Sequence, residues 1–348
     1  MQRDVLIVGF GLAGWALTEA LSKQGISFVV FDPLKNSSSR SATGVYNPVV
    51  LKRFRSIWNA NKLMKQAIPL YSQPKYKDAV HPMPVHRVLT SVSEQNDWTV
   101  ASDNPDLRHY LEPIIQLKTN ANLHAPFGVG IVRHTGWVDT NKLLTIAQQE
   151  LNQKGCFVEE FFDYAALKVS SEMLHYKDWE VNHVVFAEGV GVFKNPWFSK
   201  LPIIPNKGEW LIILCKGLEL DQIVKGSVFI VPLGNDTYRV GATYAREFES
   251  DLPTPEGKTW LLAQLRKLTD LPIDILHHGA GLRPTVSDRK PIIGTHPKHK
   301  NIWCINGLGS RGVLWAPYLA TTLVNALNGS KISITELLLR RFLGASPK

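Results

Sequence analysis

Three glycines, Gly9, Gly11 and Gly14, stand in a G-x-G-x-x-G spacing, and Asp32 follows 18 residues after the last of them. These are residue types that can hold a phosphorylated nucleotide. Glycine at 9 permits a tight turn, at 11 it lets the backbone approach a pyrophosphate, and at 14 it lets a helix pack closely on a strand. Leu12 and Ala13 open that helix, whose free N–H groups and positive dipole end suit phosphate. A carboxylate at 32 can accept from ribose hydroxyls, and it disfavours a 2′-phosphate because like charges repel. The motif by itself leaves NAD and FAD both open. A glycine-rich strand–helix turn without a ligand is the plainer alternative.

Two further stretches could do chemistry. Arg283 stands in a Gly/Pro-bounded segment over 279–294, where a guanidinium can hold a carboxylate bidentately. The alternative there is a structural pair with Asp288. The run Gly307, Leu308, Gly309, Ser310, Arg311, Gly312 and Val313 lies between an apolar strand over 301–306 and an apolar helix over 313–327. This is a second strand–glycine–helix unit. Its helix start would stabilise a ring that gains negative charge on reduction. His277 and His278 are adjacent and lack the i, i+4 spacing of a helical metal pair, so they read as structural, and no metal is expected.

The elements that must position these residues are legible in outline. The apolar run over 4–8 suits a strand buried on both faces of a parallel sheet. A helix follows and stops at Gly25, and a second apolar strand ends at Asp32. The polar loop over 33–44 includes Pro33, Arg40, Ser41, Ala42, Thr43 and Gly44. It can fold back over a pyrophosphate and offer backbone N–H and hydroxyl donors. The pattern then predicts a helix over 56–71 capped by Ser56, a Pro-broken turn over 81–84 and a strand over 85–89. The stretch 97–113 reads as helical in its second half. A strand over 128–133 and a helix over 141–153, capped at Asp139 and Thr140, come next. A buried strand from 184 runs into Ala187, Glu188 and Gly189 and suits a return to the nucleotide sheet. Strands over 209–214, 227–232 and 238–242 alternate with turns, as in antiparallel sheets, and a helix over 255–267 follows. The fold class is therefore α/β with an α+β substrate part. A Rossmann-like nucleotide domain (1–55, 138–205, 275–348) is interleaved with an antiparallel-sheet substrate domain (56–137, 206–274).

Composition narrows the class. A chain of 348 residues, 44% of them hydrophobic, can bury a large core and makes two domains the natural expectation. No apolar run reaches the length of a membrane span, and no leader peptide is expected ahead of a first strand that starts near residue 1. Cys156, Cys215 and Cys304 are far apart and form no metal or redox spacing, so free thiols and a cytoplasmic location are expected. The net charge of +9 is uneven: between Pro33 and Lys77 there is no acid, while Lys35, Arg40, Lys52, Arg53, Arg55, Lys62, Lys65, Lys75 and Lys77 are basic. Such a block suggests a polyanion partner or steering of an anionic substrate, the alternative being a solvated basic face.

These features together resemble a known family. A nucleotide unit starts the chain and an antiparallel domain interrupts it. An Arg283-Pro284-x-x-x-Asp288-x-x-Pro291-x-x-Gly294 segment follows, and a glycine-rich helix start closes the pattern. Over nearly the whole chain this is similar to the D-amino acid oxidase-type (DAO) FAD-dependent oxidoreductases, which include glycine oxidase and sarcosine oxidase. More narrowly, the 307–312 stretch with Ala316-Pro317, the Thr43-Gly44-Val45-Tyr46-Asn47-Pro48 stretch and 184–189 resemble one oxidase domain. That domain is the C-terminal FAD part of the bacterial enzyme that makes 5-methylaminomethyl-2-thiouridine at the tRNA wobble position.

The resemblance implies FAD, hydride transfer to it from a C–H beside nitrogen, hydrolysis of the imine and reoxidation by oxygen. It implies Arg283 as the clamp for a glycine-like carboxylate and Tyr46 as a residue lining the flavin face. The substrate it implies is a small amine or N-substituted glycine, including the carboxymethylaminomethyl group of a wobble uridine, with tRNA as partner. A free-amino-acid oxidase and a flavin-binding protein without turnover are the alternatives. The chain also departs from the pattern. The tRNA enzyme carries a methyltransferase domain with no counterpart here, so methyl transfer is not implied. Where glycine oxidase has a tyrosine-bearing strand, this chain reads Val228-Phe229-Ile230-Val231-Pro232. No cysteine lies near 285–288, where sarcosine oxidases tether flavin, so FAD is expected to bind non-covalently.

Overall fold

The N-terminal apolar run forms the strand Gln2–Val8, whose alternate side chains feed two different cores. Val5 and Ile7 pack with Trp15, Leu319 and Leu323 on one side, while Leu6 and Val8 pack with Leu174, Tyr176 and Phe186 on the other. A strand buried on both faces needs covering layers on both. The computed structural model describes residues 1–342 apart from 36, 119, 171 and 172. Among them are six helices: α1 (Leu12–Lys23), α2 (Ala60–Tyr71), α3 (Val92–Asp103), α4 (Thr140–Gln153), α5 (Pro255–Leu265) and α6 (Gly312–Leu327). No helix among the described residues is long and apolar enough to cross a membrane.

The first sheet has eight strands. Gln2–Val8 pairs in parallel with Phe28–Phe31 and Trp179–Phe186; Phe157–Val158 and Ile302–Asn306 extend the parallel set on either side. Leu167–Val169, Leu174–Tyr176 and Ile292–Thr295 add antiparallel pairs. The second sheet has seven strands, ordered Asp274–Val286, Ile203–Leu214, Thr237–Gly241, Phe229–Gly234, Ile223–Lys225, Val85–Val88 and Val129–Val132. All its pairings are antiparallel except that of Ile223–Lys225 with Val85–Val88. The α/β class with an antiparallel second part is thus present. Asp274–Val286 belongs to the second sheet along its whole length, in register with Ile203–Leu214, so that Asn206 faces Arg283.

The second sheet has two distinct faces. Leu211, Ile213 and Val240 pack under Leu261 and Leu265 of α5. Period-two alternation sends Asn206, Gly208, Trp210, Arg239 and Arg283 to the opposite face.

Three local expectations are corrected. The helix expected over 56–71 starts at Ala60, after Asn59 in a left-handed conformation, φ +50°. Ser56 does not cap it but pairs in the short hairpin Val49–Val50 with Arg55–Ser56. The helix in 97–113 occupies the first part of that stretch, because it begins upstream at Val92. The Ser91 hydroxyl accepts from the Glu94 N–H and Glu94 accepts from the Thr90 N–H, a side-chain cap that fixes the start. The expected turn over 81–84 is partly strand: Val80–Pro82 pairs with Gly136–Val138, which also pairs with Val45–Tyr46. The three thiols are free, with Cys215 and Cys304 buried and Cys156 half-buried.

Candidate active site

The first strand delivers the chain to Gly9, which turns at φ +99° with no room for a side chain: a Cβ there would fall 2.7 Å from the Ala187 carbonyl oxygen. Gly14 is tighter still, its absent Cβ lying 2.0 Å from the Gly9 oxygen. Strand and helix can therefore meet only through glycine. A Cβ at Gly11 would instead meet the end of a side chain, Ser39 Oγ, at 2.7 Å. Asp32 receives the N–H of Phe10 on Oδ2 (2.6 Å) and of Leu34 on Oδ1 (2.7 Å), which aims the carboxylate at the glycine turn. Burial pushes its carboxyl above the usual value against the pull of those two N–H groups.

The helix starts differ in how they are closed. α3, α4 and α5 are each closed by a side-chain cap, from Ser91, Asp139 and Thr254. α2 is uncapped, and α1 and α6 have no cap from the preceding residue and no acid in the first turn; the Leu12 N–H of α1 donates to Ser39 Oγ at 2.9 Å. The α1 and α6 starts are neighbours, since a Cβ at Gly312 would lie 3.2 Å from Leu12 Cδ1. Two helix N-termini with orphan N–H groups then converge on one region and suit an anionic or electron-accepting ligand. The residues present fit a dinucleotide: glycines where a Cβ would collide, open amides, and a carboxylate at the end of the second strand.

The remaining expected cofactor residues sort by position. Pro33 follows Asp32, and Arg40 reaches Asn141 Oδ1 at 3.0 Å, its guanidinium lowered by burial and opposed by the Asp32 charge. Asn36, in the same loop, lies outside the described residues. The Ser41 carbonyl accepts from Arg239, the Ala42 carbonyl from Thr140 Oγ1 at 3.5 Å, and Gly44, after Thr43, turns at φ +74° against Val138. The Ala187 N–H donates to the Val8 carbonyl at 2.8 Å. The Glu188 carboxylate turns elsewhere, to the Tyr164 hydroxyl and Asn195 Nδ2, and burial raises it. The backbone of Ala187 and Glu188 borders Gly9. The Gly189 carbonyl accepts from Asn306 Nδ2 at 2.8 Å, and the Gly307 N–H donates to Asn306 Oδ1 at 2.7 Å. Leu308, Gly309 and the exposed Ser310 continue the turn. Arg311 is half-buried and lowered by burial and by neighbouring Arg289, and the Val313 carbonyl accepts from Tyr71 at 2.7 Å.

Arg283 and Tyr46, the two expected catalytic residues, stand on different sheets. Arg283 Nη1 donates to Asn206 Oδ1 (2.9 Å) and to the Thr243 carbonyl (3.2 Å). The alternative Arg283–Asp288 pair is not formed: Asp288 binds Arg341 at 2.8 Å. No acid pairs with Arg283 among the described residues, and burial lowers its guanidinium. The ring of Tyr244, 58% exposed, lies 5.8 Å from the Arg283 guanidinium carbon. Tyr46 is 3% exposed within the main core, with its hydroxyl pushed up to about 12 by burial.

Sequence reading missed Asn206, Tyr244, Trp210 and Arg239. Arg239 stacks 3.9 Å over Trp210, and both Arg239 Nε and Trp210 Nε1 are buried without a partner. Burial lowers the Arg239 guanidinium to about 10. The signal that could have found it is a charged residue inside an alternating apolar strand, where every second residue faces the interior.

A nucleotide turn on a parallel sheet, joined to an antiparallel sheet bearing an arginine with no acid partner among the described residues, defines a dinucleotide-dependent oxidoreductase of two interleaved parts. Residues 4–326 match the family model described as FAD dependent oxidoreductase (DAO), and the chain belongs to that family. FAD is accordingly its cofactor. Among curated relatives, the tRNA 5-methylaminomethyl-2-thiouridine biosynthesis bifunctional protein MnmC of Idiomarina loihiensis is 25% identical, over 98% of this chain and 58% of the relative. The glycine oxidase of Bacillus subtilis is 32% identical over 39% of this chain and 38% of its own. The chain spans somewhat more than half the length of the MnmC relatives it matches. Among solved structures, glycine oxidase from Geobacillus kaustophilus superposes with a TM-score of 0.81 at 19% identity, covering 99% of this chain and 100% of that one. Iminodiacetate oxidase from Chelativorans sp. BNC1 gives 0.74 at 15%, covering 96% and 98%.

Proposed function

We propose that this protein is an amine oxidase acting on an N-substituted glycine, and that its substrate is the carboxymethylaminomethyl group of a wobble uridine in tRNA. The observation that carries the reading is Arg283. Its Nη1 is fixed by Asn206 and the Thr243 carbonyl, and no acid among the described residues neutralises it. A desolvated guanidinium held from one side is prepared for a carboxylate on the other.

Bound FAD supplies the two-electron acceptor for a C–H bond beside nitrogen. Gly9, Gly11, Gly14 and Asp32 would hold its nucleotide end, and the open start of α6 would face the end that gains negative charge. Arg283 anchors the substrate carboxylate and so fixes which C–H is presented, and Tyr244 covers the same guanidinium from the exposed side. The oxidised C–N bond is an imine, which water splits into an amine and an α-keto acid.

The basic surface supports the tRNA part of the reading. Of the nine cations, Lys75 is bridged to Glu19 (2.8 Å) and Glu150 (2.9 Å), and Lys35 lies over Phe161. Lys52, Arg53, Arg55, Lys62 and Lys65 are all exposed, and none forms an ion pair among the described residues. Unpaired exposed cations are the groups that exchange counterions for phosphates. The three free thiols fit the cytoplasm, where tRNA resides.

Anaerobic titration of the purified yellow protein tests the reading. Sarcosine and tRNA bearing the carboxymethylaminomethyl group should bleach the flavin. Bleaching by glycine or D-alanine alone would replace it with a free-amino-acid oxidase, and bleaching by none of the four would leave a flavin-binding protein without turnover.

A further inference from the structure

Tyr244 belongs to none of the three apolar cores among the described residues, and it is 58% exposed. A single exposed aromatic residue is ordinary. What sets this one apart is the backbone that carries it and the neighbour it faces. On one side, the Thr243 N–H donates to the Glu209 carbonyl at 3.0 Å, and the Thr243 hydroxyl accepts from the Glu209 N–H at 2.8 Å. On the other, Ala245 exchanges both backbone hydrogen bonds with Lys207, at 2.8 and 2.9 Å, and its carbonyl also accepts from Asn206 Nδ2 at 2.9 Å. Both flanking residues are thus tied to the strand Ile203–Leu214. The open ring stands on fixed backbone.

The same ties set Arg283. Its Nη1 donates to Asn206 Oδ1 and to the Thr243 carbonyl, so one asparagine orients both the guanidinium and the residue after Tyr244. The guanidinium carbon lies 5.8 Å from the centre of the Tyr244 ring. In a carboxymethylaminomethyl group, single bonds of roughly 1.5 Å link the carboxylate carbon to the pyrimidine ring through two methylenes and a nitrogen, a reach of about 5 Å when extended. A base on so short a tether stays beside Tyr244 while Arg283 holds its carboxylate.

The charges next to Tyr244 select the part of a nucleotide that fits there. The stretch 246–251 carries Glu247, Glu249 and Asp251 against one cation, Arg246. Such a stretch repels phosphate, so contact at this end goes through a neutral flat ring. Unstacked bases of single-stranded loops stack on aromatic side chains in this way.

We infer that Tyr244 is the platform on which the uracil ring of the substrate stacks while Arg283 holds its carboxylate. Tyr244 thereby sets the preference for a glycine unit carried on uridine over a free one. The inference rests on the function proposed above and deepens it, by naming the group that reads the base.

The test uses the FAD-loaded protein with two substrates, sarcosine and the nucleoside 5-carboxymethylaminomethyluridine. Because Tyr244 also faces Arg283, the readout is the ratio of kcat/KM for the nucleoside to kcat/KM for sarcosine. The parent should prefer the nucleoside. Tyr244→Ala should lower that ratio about tenfold, mainly through the KM of the nucleoside, the loss expected of one base–aromatic stack. Tyr244→Leu, apolar but without a stacking face, should lose as much, and Tyr244→Phe should keep the ratio. Flavin spectra and melting temperatures matching the parent show that the fold is kept. An equal fall for both substrates in Tyr244→Ala would leave Tyr244 as a cover for Arg283 and overturn the proposal. A loss in Tyr244→Phe as large as in Tyr244→Ala would assign the contact to the hydroxyl and also overturn it, as would a parent without preference. Oxidation of sarcosine and of modified tRNA by the parent is read separately. If both proceed while the ratio does not move, only the role of Tyr244 falls; if neither the nucleoside nor the tRNA is oxidised, the wobble-uridine reading falls with it.

Discussion

The guanidinium of Arg283 lies flat against Gly208: a Cβ built on that glycine would fall 2.0 Å from Nη2, 2.3 Å from Cζ and 2.4 Å from Nη1. Gly208 is thus the floor on which the arginine rests, and any side chain there must push it aside. Gly208→Ala should raise KM for an N-substituted glycine at least about tenfold while the flavin spectrum is retained. Arg283→Ala should cost about 2–5 kcal/mol in kcat/KM, and Arg283→Lys should recover only part, since an ammonium lacks the planar fork. Steady-state kinetics on sarcosine checks all three; unchanged kinetics in Gly208→Ala would remove Arg283 from the substrate site.

Two glycines of the nucleotide turn should fail in different ways. The absent Cβ of Gly14 meets backbone, which cannot yield, so Gly14→Ala should destabilise the fold by about 1–3 kcal/mol. That of Gly11 meets only the Ser39 hydroxyl, which can rotate away, so Gly11→Val should leave a folded protein that no longer retains FAD. Melting curves beside the flavin-to-protein absorbance ratio separate the two.

Behind the substrate sheet, Glu209 binds Lys207 (3.1 Å) and His278 (3.0 Å), and accepts from the Thr254 N–H and hydroxyl (both 2.9 Å). Burial alone would raise its carboxyl, but the Thr254 N–H and Lys207 outweigh it and hold the carboxyl below its ordinary 4.5. A depressed carboxyl stabilises the fold above its unfolded value and loses that contribution as pH falls through the folded one. Stability against urea should therefore fall as pH drops below about 5, and Glu209→Gln should flatten that dependence. The same variant leaves Lys207 buried without its partner and should cost about 3 kcal/mol at neutral pH. A pH profile parallel to the parent's would show that other carboxylates govern acid unfolding.

The exposed cations make a salt-dependent prediction. If Lys52, Arg53 and Arg55 contact RNA phosphates, each change to Ala should weaken tRNA binding and reduce the slope of log K against log salt by about one. Filter binding across a salt series measures this. Undetectable tRNA binding at low salt would leave the small-amine oxidase reading in its place.

What the sequence by itself determined was local. Glycine spacing, the acid 18 residues on and two apolar strands were enough for the nucleotide turn, because each works through its own stretch of backbone. Alternation was enough for an antiparallel second sheet, because period two reports a strand with one face inward. Helix boundaries were less legible. Ala60 starts its helix only because the Val49–Val50 and Arg55–Ser56 hairpin holds the preceding residues, and that pairing is not local to the helix. Tertiary structure alone decided which neighbours the functional residues have. The sequence shows Arg283 as an arginine in a Gly/Pro-bounded segment but not that Asn206 stands opposite or that Gly208 lies beneath it; strand register sets those, across more than 70 residues of chain. The same holds for the apposed starts of α1 and α6. Contacts of this kind are fixed by packing the whole core at once, so no single stretch of sequence contains them.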